Sequence, residues 1–300
     1  MRVSELPRPD ATPRVPTILA IGSLAAEALA ASRGRVGLFS LTGGAAYLEA
    51  GREIIWARRG DQGGSPAPSH VRAMLLHGPL PQAWTGVQFA AGGIAPWRPA
   101  FPLLVTGGRE SLAARARAFA AWLAAAEQPR GLGALLAGKM PDFPLAAATP
   151  RVLAMFASEI MQALPDGDIV AAAEAAAPLI GLGPGLTPSG DDLLAGMLLA
   201  LRLRAIAEPG LTAAVERLGG AVRGMAHAGT NRISATLLGD ASRGHGFAAM
   251  HALIDALATG NRAAAFASGR SLAALGHSSG WDLMTGLCAG LGVVLEAPRG

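Results

Sequence analysis

The chain has 300 residues, of which 51% are hydrophobic and 15% are charged. A chain of this length and composition folds around one large or two medium cores and is too apolar to remain disordered. Its formal charge of +4 comes mainly from arginine, because Lys139 is the only lysine among 25 basic residues. Basic residues never occur three in a row and aromatic residues are rare, which disfavours nucleic-acid binding despite a pI near 10.4.

Three further features favour a cytoplasmic protein. Cys288 is the single cysteine, so a disulfide framework is excluded and the sequence fits a reducing compartment. Residues 1–16 are rich in proline and lack an apolar run, so we interpret them as a flexible arm rather than a signal peptide. The apolar stretch 283–295 is too short to span a bilayer and contains three glycines, so we expect no membrane association.

The part of the chain after the arm has two characters. The alanine- and leucine-rich stretch 18–31 predicts a first helix. Short apolar runs separated by glycine, proline or serine then predict strands of a small sheet or barrel. These runs lie at 35–41, 45–50, 53–59 and 71–78, with a loop at 63–69 and a last strand ending near residue 105.

From residue 108 onward the sequence predicts helices almost throughout. The predicted helices are 112–126, 150–164, 167–178, 190–206, 211–226, 232–241, 246–259, 261–275 and 280–296. Since strands do not alternate with these helices, a Rossmann or P-loop sheet is disfavoured. The predicted fold class is α+β, with a β-rich N-terminal unit at 17–107 and a mostly helical domain at 108–300.

One short motif occurs twice in the helical domain. The first copy is "PSGDDLLAGML" at 188–198, and "SSGWDLMTGLC" at 278–288 follows ninety residues later. Both read S-G-x-D-L-x-x-G, which aligns Ser189 with Ser279 and Asp192 with Asp282. A capping box is a local explanation for the shared residues, because serine and aspartate can bind the free groups of a first helical turn.

Capping does not explain Asp191, because Trp281 occupies the equivalent position of the second copy. The preceding "GLGPGLTP" at 181–188 exposes backbone amides at a helix N-terminus, where the helix dipole also favours an anion. Adjacent aspartates would repel a bare anion, so they fit this loop if they hold Mg²⁺ or accept a hydrogen bond from a ligand amide. We predict that the two helix starts face a shared cavity.

Two more residues are candidates for this site. Thr230 or Asn231 could cap the helix that carries Ser234, which places Arg232 in its first turn. A cation there opposes the helix dipole unless it meets an anion, and a solvated arginine is the alternative. His277 directly precedes the second motif and could transfer a proton near neutral pH, with a surface or capping role as the alternative.

The stretches "GLGPGLTPSGDDLLAG", "ISATLL" and "GHSSGWDLMTGL" closely resemble a bacterial family of uncharacterised function that includes the AllH subunit of oxamate carbamoyltransferase. The resemblance covers most of the chain after the arm and is strongest between 180 and 290. It implies a role in anaerobic purine (allantoin) degradation, where oxalurate and phosphate exchange with oxamate and carbamoyl phosphate. It also implies an assembly with an acyl-CoA-synthetase-like FdrA protein and an AllG-type partner.

We therefore predict a subunit of an oxamate carbamoyltransferase-like complex with a small anionic substrate. The candidates for catalysis are Asp191, Asp192 and His277, and the two aspartates are also the candidates for binding Mg²⁺, the one cofactor that the motif suggests. The candidates for anion binding are Gly183, Gly185, Thr187, Ser189, Gly190, Arg232, Ser278, Ser279 and Asp282.

Two alternatives remain open at this stage. In a non-catalytic scaffold or regulatory subunit, the motifs only cap helices and pack against partner chains. A stand-alone Mg²⁺- and ATP-dependent phosphotransferase instead requires an adenine-sized cleft beside the glycine-rich loop.

Overall fold

The computed structural model describes most of the chain in two compact units, 1–98 and 99–300. The described residues are 16–42, 44–60, 68–81, 83–84, 86–90, 92–125, 128–141 and 149–295, with the backbone alone described at 149–152. The predicted arm at 1–16, apart from Pro16, and most of the predicted loop at 63–69 lie outside these residues.

The first unit contains a five-stranded mixed sheet and one helix. Its elements are β1 (Ile18–Ile21), α1 (Ser23–Ala31), β2 (Gly37–Thr42), β3 (Ala45–Ala50), β4 (Glu53–Arg59) and β5 (Ala73–Leu76). The strand order is β1-β5-β4-β3-β2, in which β4 and β5 are parallel and the other neighbours antiparallel. The sheet is therefore open, and its core is built from residues such as Leu48, Ile55 and Met74.

Two predictions for the N-terminal region differ from the structure: the helix predicted at 18–31 forms only over Ser23–Ala31, and one predicted strand is not formed. The predicted helix 18–31 begins with β1, because the β-branched Ile18 and Ile21 bury their side chains where β1 pairs with β5. Gly22 then allows the chain to pass close to the backbone of Val71, because a Cβ at this position would collide with the Val71 carbonyl. The strand predicted to end near residue 105 is not formed, in a segment whose prolines lack the amide that a strand ladder requires.

The second unit is helical. Its α-helices are α2 (Gly108–Ala124), α3 (Thr149–Ala163), α4 (Ile169–Ala176), α5 (Ser189–Ala207), α6 (Thr212–Gly229), α7 (Arg232–Ala241), α8 (Ala248–Thr259), α9 (Arg262–Ala273) and α10 (Ser279–Gly290). Short 3₁₀ helices span Gly131–Ala137, Ala177–Leu179 and Pro209–Leu211. The predicted α+β class is confirmed. Among the described residues, no helix is both long enough and apolar enough to cross a membrane.

α5 is the central helix of the second unit. Fifteen of its nineteen residues are buried, which is the pattern of a helix surrounded on all sides rather than of an amphipathic surface helix. Its neighbours include α10, α6 and α7. Because the first turn is buried with the rest, the carboxyl groups of Asp191 and Asp192 lie inside the protein.

α5 and α10 pack against each other as a parallel pair. A Cβ on Gly196 would collide with the carbonyl oxygen of Leu283, and a Cβ on Gly286 would collide with that of Leu193. These contacts exchange equivalent motif positions, so an approximate two-fold axis relates the helices. The repeated glycine is thus required for close packing, and the packing sets the two motif starts side by side.

Candidate functional site

The internal repeat extends back from the motif into the preceding helix end. "LIGLG" at 179–183 leads into the first copy, and "LAALG" at 272–276 leads into the second. A Cβ on Gly190 or on Gly280 would collide with the carbonyl oxygen of the first leucine of its stretch. The connection from the last glycine to the motif serine is three residues shorter in the second copy, which hides this part of the repeat from a gapless alignment.

The predicted capping boxes are not formed. Pro188 and Ser278 occupy the N-cap positions of α5 and α10, and neither helix start has a side-chain capping bond. The capping interpretation of Ser189, Asp192, Ser279 and Asp282 is therefore wrong. Their side chains are instead available for contacts between the two copies.

Thr187 and Ser279 connect the two motif loops. Their hydroxyl oxygens, Thr187 Oγ1 and Ser279 Oγ, are 2.8 Å apart and form a hydrogen bond. Thr187 lies two residues before Ser189, so the Cα atoms of Ser189 and Ser279 are at most about 15 Å apart. The structure thus brings the two helix starts together, as the repeat predicts.

Asp192 and Asp282, the aspartates of the two copies, are both buried. Asp282 Oδ1 accepts a hydrogen bond of 2.6 Å from the backbone amide of Leu132. Burial and then the neighbouring charge of Asp282 raise the pKa of Asp192 well above its usual range, although hydrogen bonding with Ser279 and Thr187 acts in the opposite direction. Asp192 Oδ2 is buried without a hydrogen-bond partner in the described part of the chain.

Asp191 has a different environment from its neighbour. Its Oδ1 accepts a hydrogen bond from the amide of Gly181 at 2.8 Å, and its Oδ2 accepts from Thr230 Oγ1 at 2.5 Å and Ser234 Oγ at 2.7 Å. These bonds tie the first loop to the start of α7. The equivalent residue of the second copy, Trp281, has no carboxylate and packs against Gly133 instead.

The Mg²⁺ prediction stays a prediction. Within the described ranges, no group of three or more His, Cys, Asp or Glu residues is arranged to hold a metal ion. Both oxygens of Asp191 already accept protein donors, so an ion bound there would displace at least one of them. Asp192 Oδ2 has no hydrogen-bond partner in the described residues and is a motif oxygen that a cation or a ligand could use.

Asn231 caps α7, which confirms the prediction for this helix. Its Oδ1 accepts from the amides of Ile233 and Ser234, and its Nδ2 donates to the carbonyl of Leu186 at 2.9 Å. The cap therefore also holds the first loop. Arg232, the next residue, is exposed beside it.

The two loops present backbone amides next to the Thr187–Ser279 contact. Gly183 and Gly185 adopt φ of 118° and 97°, values in the left-handed region that favours glycine. In the described chain, several loop amides donate no hydrogen bond to a protein oxygen. They belong to Gly183, Gly185, Leu186 and Thr187 of the first loop and to Gly276, His277 and Ser278 of the second.

The structure distributes the predicted site residues over three depths. Ser189, Gly190, Asp191, Asp192 and Asp282 are buried at the helix starts. Thr187, Ser278 and Ser279 are half-buried, as is Gly183. The exposed residues are Gly185, Arg232 and His277. No sequence pattern indicated that Gly181, Thr230, Ser234 or Leu132 would be partners of the aspartates.

The fold and the site define an α+β protein whose helical unit carries a duplicated glycine–aspartate loop. Residues 179–291 match the model of a protein family described as oxamate carbamoyltransferase subunit AllH. The matched region contains both motif copies, and the family's description names one subunit of an oxamate carbamoyltransferase. No curated protein and no solved structure shows a significant match to the chain.

Proposed function

We propose that this chain is the anion-binding subunit of an oxamate carbamoyltransferase-like complex. The phosphate group of carbamoyl phosphate, or the carboxylate of oxamate or oxalurate, would bind between the two motif loops. The observation that carries the proposal is the 2.8 Å contact between Thr187 and Ser279, which places two sets of amide donors beside one buried carboxyl group. The matched family region includes all of these residues.

The loops supply the donors that a small oxyanion needs. Amides at a glycine-rich helix start bind anions because the N–H groups and the helix dipole act together. Arg232 is exposed next to the cap that holds the first loop, where its guanidinium would add charge-assisted hydrogen bonds. The hydroxyl of Ser278 would donate a further hydrogen bond to the anion from the second loop.

The aspartates do not oppose an anion in this arrangement. The charge of Asp191 is matched by three protein donors. The pKa of Asp192 is raised by burial and by Asp282, so its carboxyl group keeps a proton to higher pH than an exposed aspartate does. A protonated carboxyl group donates a hydrogen bond to an anion instead of repelling it.

The same groups suit the chemistry of carbamoyl transfer. A bond forms between the oxamate nitrogen and the carbamoyl carbon, while the bond from that carbon to the phosphate oxygen breaks. The nitrogen loses a proton and the departing phosphate gains one. In this proposal Asp192 supplies the proton through the Thr187 or Ser279 hydroxyl, and His277 accepts the proton from the nitrogen.

The pathway and the partners belong to the same proposal. We place the chain in purine (allantoin) degradation in the cytoplasm, in a complex with FdrA-like and AllG-like subunits. Support for this placement comes from the AllH-family region alone.

A titration with matched variants tests the anion site. We expect calorimetry to detect binding of carbamoyl phosphate and inorganic phosphate, with and without Mg²⁺, and we expect Thr187→Val and Ser279→Ala to weaken it about five- to 100-fold. Thr259→Val is the control, because that hydroxyl donates to the Asp255 carbonyl within α8. Equal affinity in wild type and both loop variants would exclude the site.

A second measurement tests the reaction. The chain is combined with its FdrA-like and AllG-like partners, and oxamate-dependent consumption of carbamoyl phosphate is followed. We expect Ser279→Ala to reduce this rate while Thr259→Val leaves it unchanged. A complex that keeps its full rate with both loop variants would favour the scaffold alternative.

A further inference from the structure

A second potential site lies at the opposite end of α5 from the motif loops. A cavity of about 540 Å³ opens between the segment before α2, the last turns of α5, the first turns of α6 and the turn after α7. Arg202, in its wall, follows Ser189 by thirteen residues, which is about 20 Å along the helix. The cavity is therefore separate from the loops that converge at Thr187 and Ser279.

Arg202 is a half-buried cation in this cavity. Its Nη2 donates to the carbonyl of Ser242 at 2.6 Å. In the described residues, no carboxylate lies within salt-bridge distance of its guanidinium. By contrast Arg204, two residues further along α5, is paired with Glu208 at 2.6 Å. A partly buried guanidinium with unmatched donors is stabilised by a bound carboxylate.

The other described charged residues of the cavity do not neutralise Arg202 through a close ion pair. Arg243 stands at the rim and is engaged by Asp240 at 3.6 Å. Glu216 is exposed on the opposite rim, where its charge acts on Arg202 without forming a close pair. A ligand carboxylate would thus meet one unmatched cation and one competing rim acid.

The remaining wall is largely apolar. Phe101, Ile206 and Val215 line it, with further prolines and aliphatic residues beside them. The volume is in the range of small-molecule sites, and an inorganic ion would leave most of this apolar surface uncovered. The chemistry of the wall therefore favours an organic anion over phosphate.

We propose that this cavity binds a small organic monocarboxylate, with its carboxylate on Arg202 and an apolar or aromatic body against Phe101, Ile206 and Val215. The planar guanidinium matches a carboxylate through two parallel hydrogen bonds, and the apolar wall selects the body of the ligand. α5, α6 and α7 each extend between this cavity and the residues around the motif loops. The ligand is distinct from the anion of the proposed reaction.

The test uses benzoate as the probe and benzamide as its uncharged counterpart of the same shape. Calorimetry on the full chain should show saturable binding of benzoate and much weaker binding of benzamide. Arg202→Gln should weaken benzoate binding at least tenfold, and Glu216→Gln should strengthen it about two- to fivefold because a like charge is removed. Arg270→Gln, an exposed arginine of α9, is the control and should change nothing.

The proposal would be overturned by a lack of saturable benzoate binding, by equal affinity for benzamide, or by unchanged affinity in Arg202→Gln. If Arg202→Gln does not fold, as judged by a thermal melt, the exposed Glu216→Gln variant decides, and unchanged affinity there counts against the proposal. Excess inorganic phosphate should not displace benzoate. Displacement would place benzoate at the motif loops and reject the second site without affecting the proposed function.

Discussion

Adjacent aspartates of the first motif differ because their partners come from distant parts of the chain. Asp191 accepts from Gly181, Thr230 and Ser234, whereas Asp192 faces Ser279 and the carboxyl group of Asp282. The sequence pairs Asp192 with Asp282 through the repeat but says nothing of the donors around Asp191. Burial and long-range contacts therefore give the two side chains different environments, although the local sequence pattern does not distinguish them.

The role of Asp191 predicts a loss of stability on substitution. Asp191→Asn replaces one accepting oxygen by an amide group that faces hydrogen-bond donors, so we expect the free energy of unfolding to fall by about 1–3 kcal/mol. Urea unfolding measures it, with the exposed Asp255→Asn as a control that should stay within about 0.5 kcal/mol. Unchanged stability together with weaker phosphate binding would instead restore the direct ligand role that the sequence suggested.

The environment of Asp192 predicts a dependence of stability on pH. Because burial and Asp282 raise its pKa in the folded state, the folded protein binds this proton more tightly than the unfolded chain. Stability is then unaffected below the ordinary aspartate pKa of 3.8 and is lost as pH rises above it, until Asp192 ionises in the folded state. Asp192→Asn removes this loss.

We therefore expect Asp192→Asn to gain stability relative to wild type as the pH is raised from about 4 to 8. Urea unfolding at several pH values measures the difference, and Asp255→Asn should show no comparable trend. A difference between Asp192→Asn and wild type that stays constant with pH would mean that Asp192 ionises normally in the folded protein.

The parallel pair of α5 and α10 is the element that creates the candidate site. Its close approach depends on Gly196 and Gly286, which leave room for the carbonyl oxygens of the facing helix. An alanine at either position would push the helices apart and move Thr187 away from Ser279. In each copy of the repeat, the glycine is needed for helix packing, and the serine and aspartate lie at the candidate anion site.

This packing predicts a contrast between two glycine substitutions. Gly286→Ala places a methyl group against the Leu193 backbone and should cost about 2–4 kcal/mol. Gly224→Ala on α6 meets nothing within 4 Å and should stabilise the helix by about 0.5–1 kcal/mol. Thermal or urea unfolding compares them, and equal effects at the two positions would contradict the close packing of α5 on α10.

Periodicity and alanine content predicted most helices, whereas local sequence patterns gave wrong predictions where tertiary contacts determine the structure. Residues 18–21 have a helical composition but pair with β5. The S-G-x-D pattern resembles a capping box, yet buried packing directs these side chains toward the other copy. Asn231 caps α7 as predicted. Its side chain binds the amides of the first turn of α7 and a carbonyl of the adjacent loop, and these contacts are compatible with capping.

For the whole molecule, the candidate site lies entirely within the second unit, and so does the matched family region. The sequence predicted the segregation of sheet and helices and the convergence of the two loops, because composition and an internal repeat carry that information. It did not predict the cavity at Arg202, because that cavity is assembled from four segments that share no motif. The sequence therefore indicated the repeated loops, whose role in binding stays a prediction, and did not indicate the cavity at Arg202.

The last prediction concerns amide exchange across the whole chain. If phosphate binds the loop amides of Gly183, Gly185, Leu186, Thr187 and residues 276–278, their hydrogen exchange should slow on binding, by about 100-fold at a phosphate concentration 100 times its Kd. Peptides from β3 and β4 are the internal control, since their strand hydrogen bonds already exist without ligand. Exchange mass spectrometry with and without phosphate makes the comparison. If the loop amides are already protected before phosphate is added, another group satisfies them in solution, and the proposed anion site is wrong.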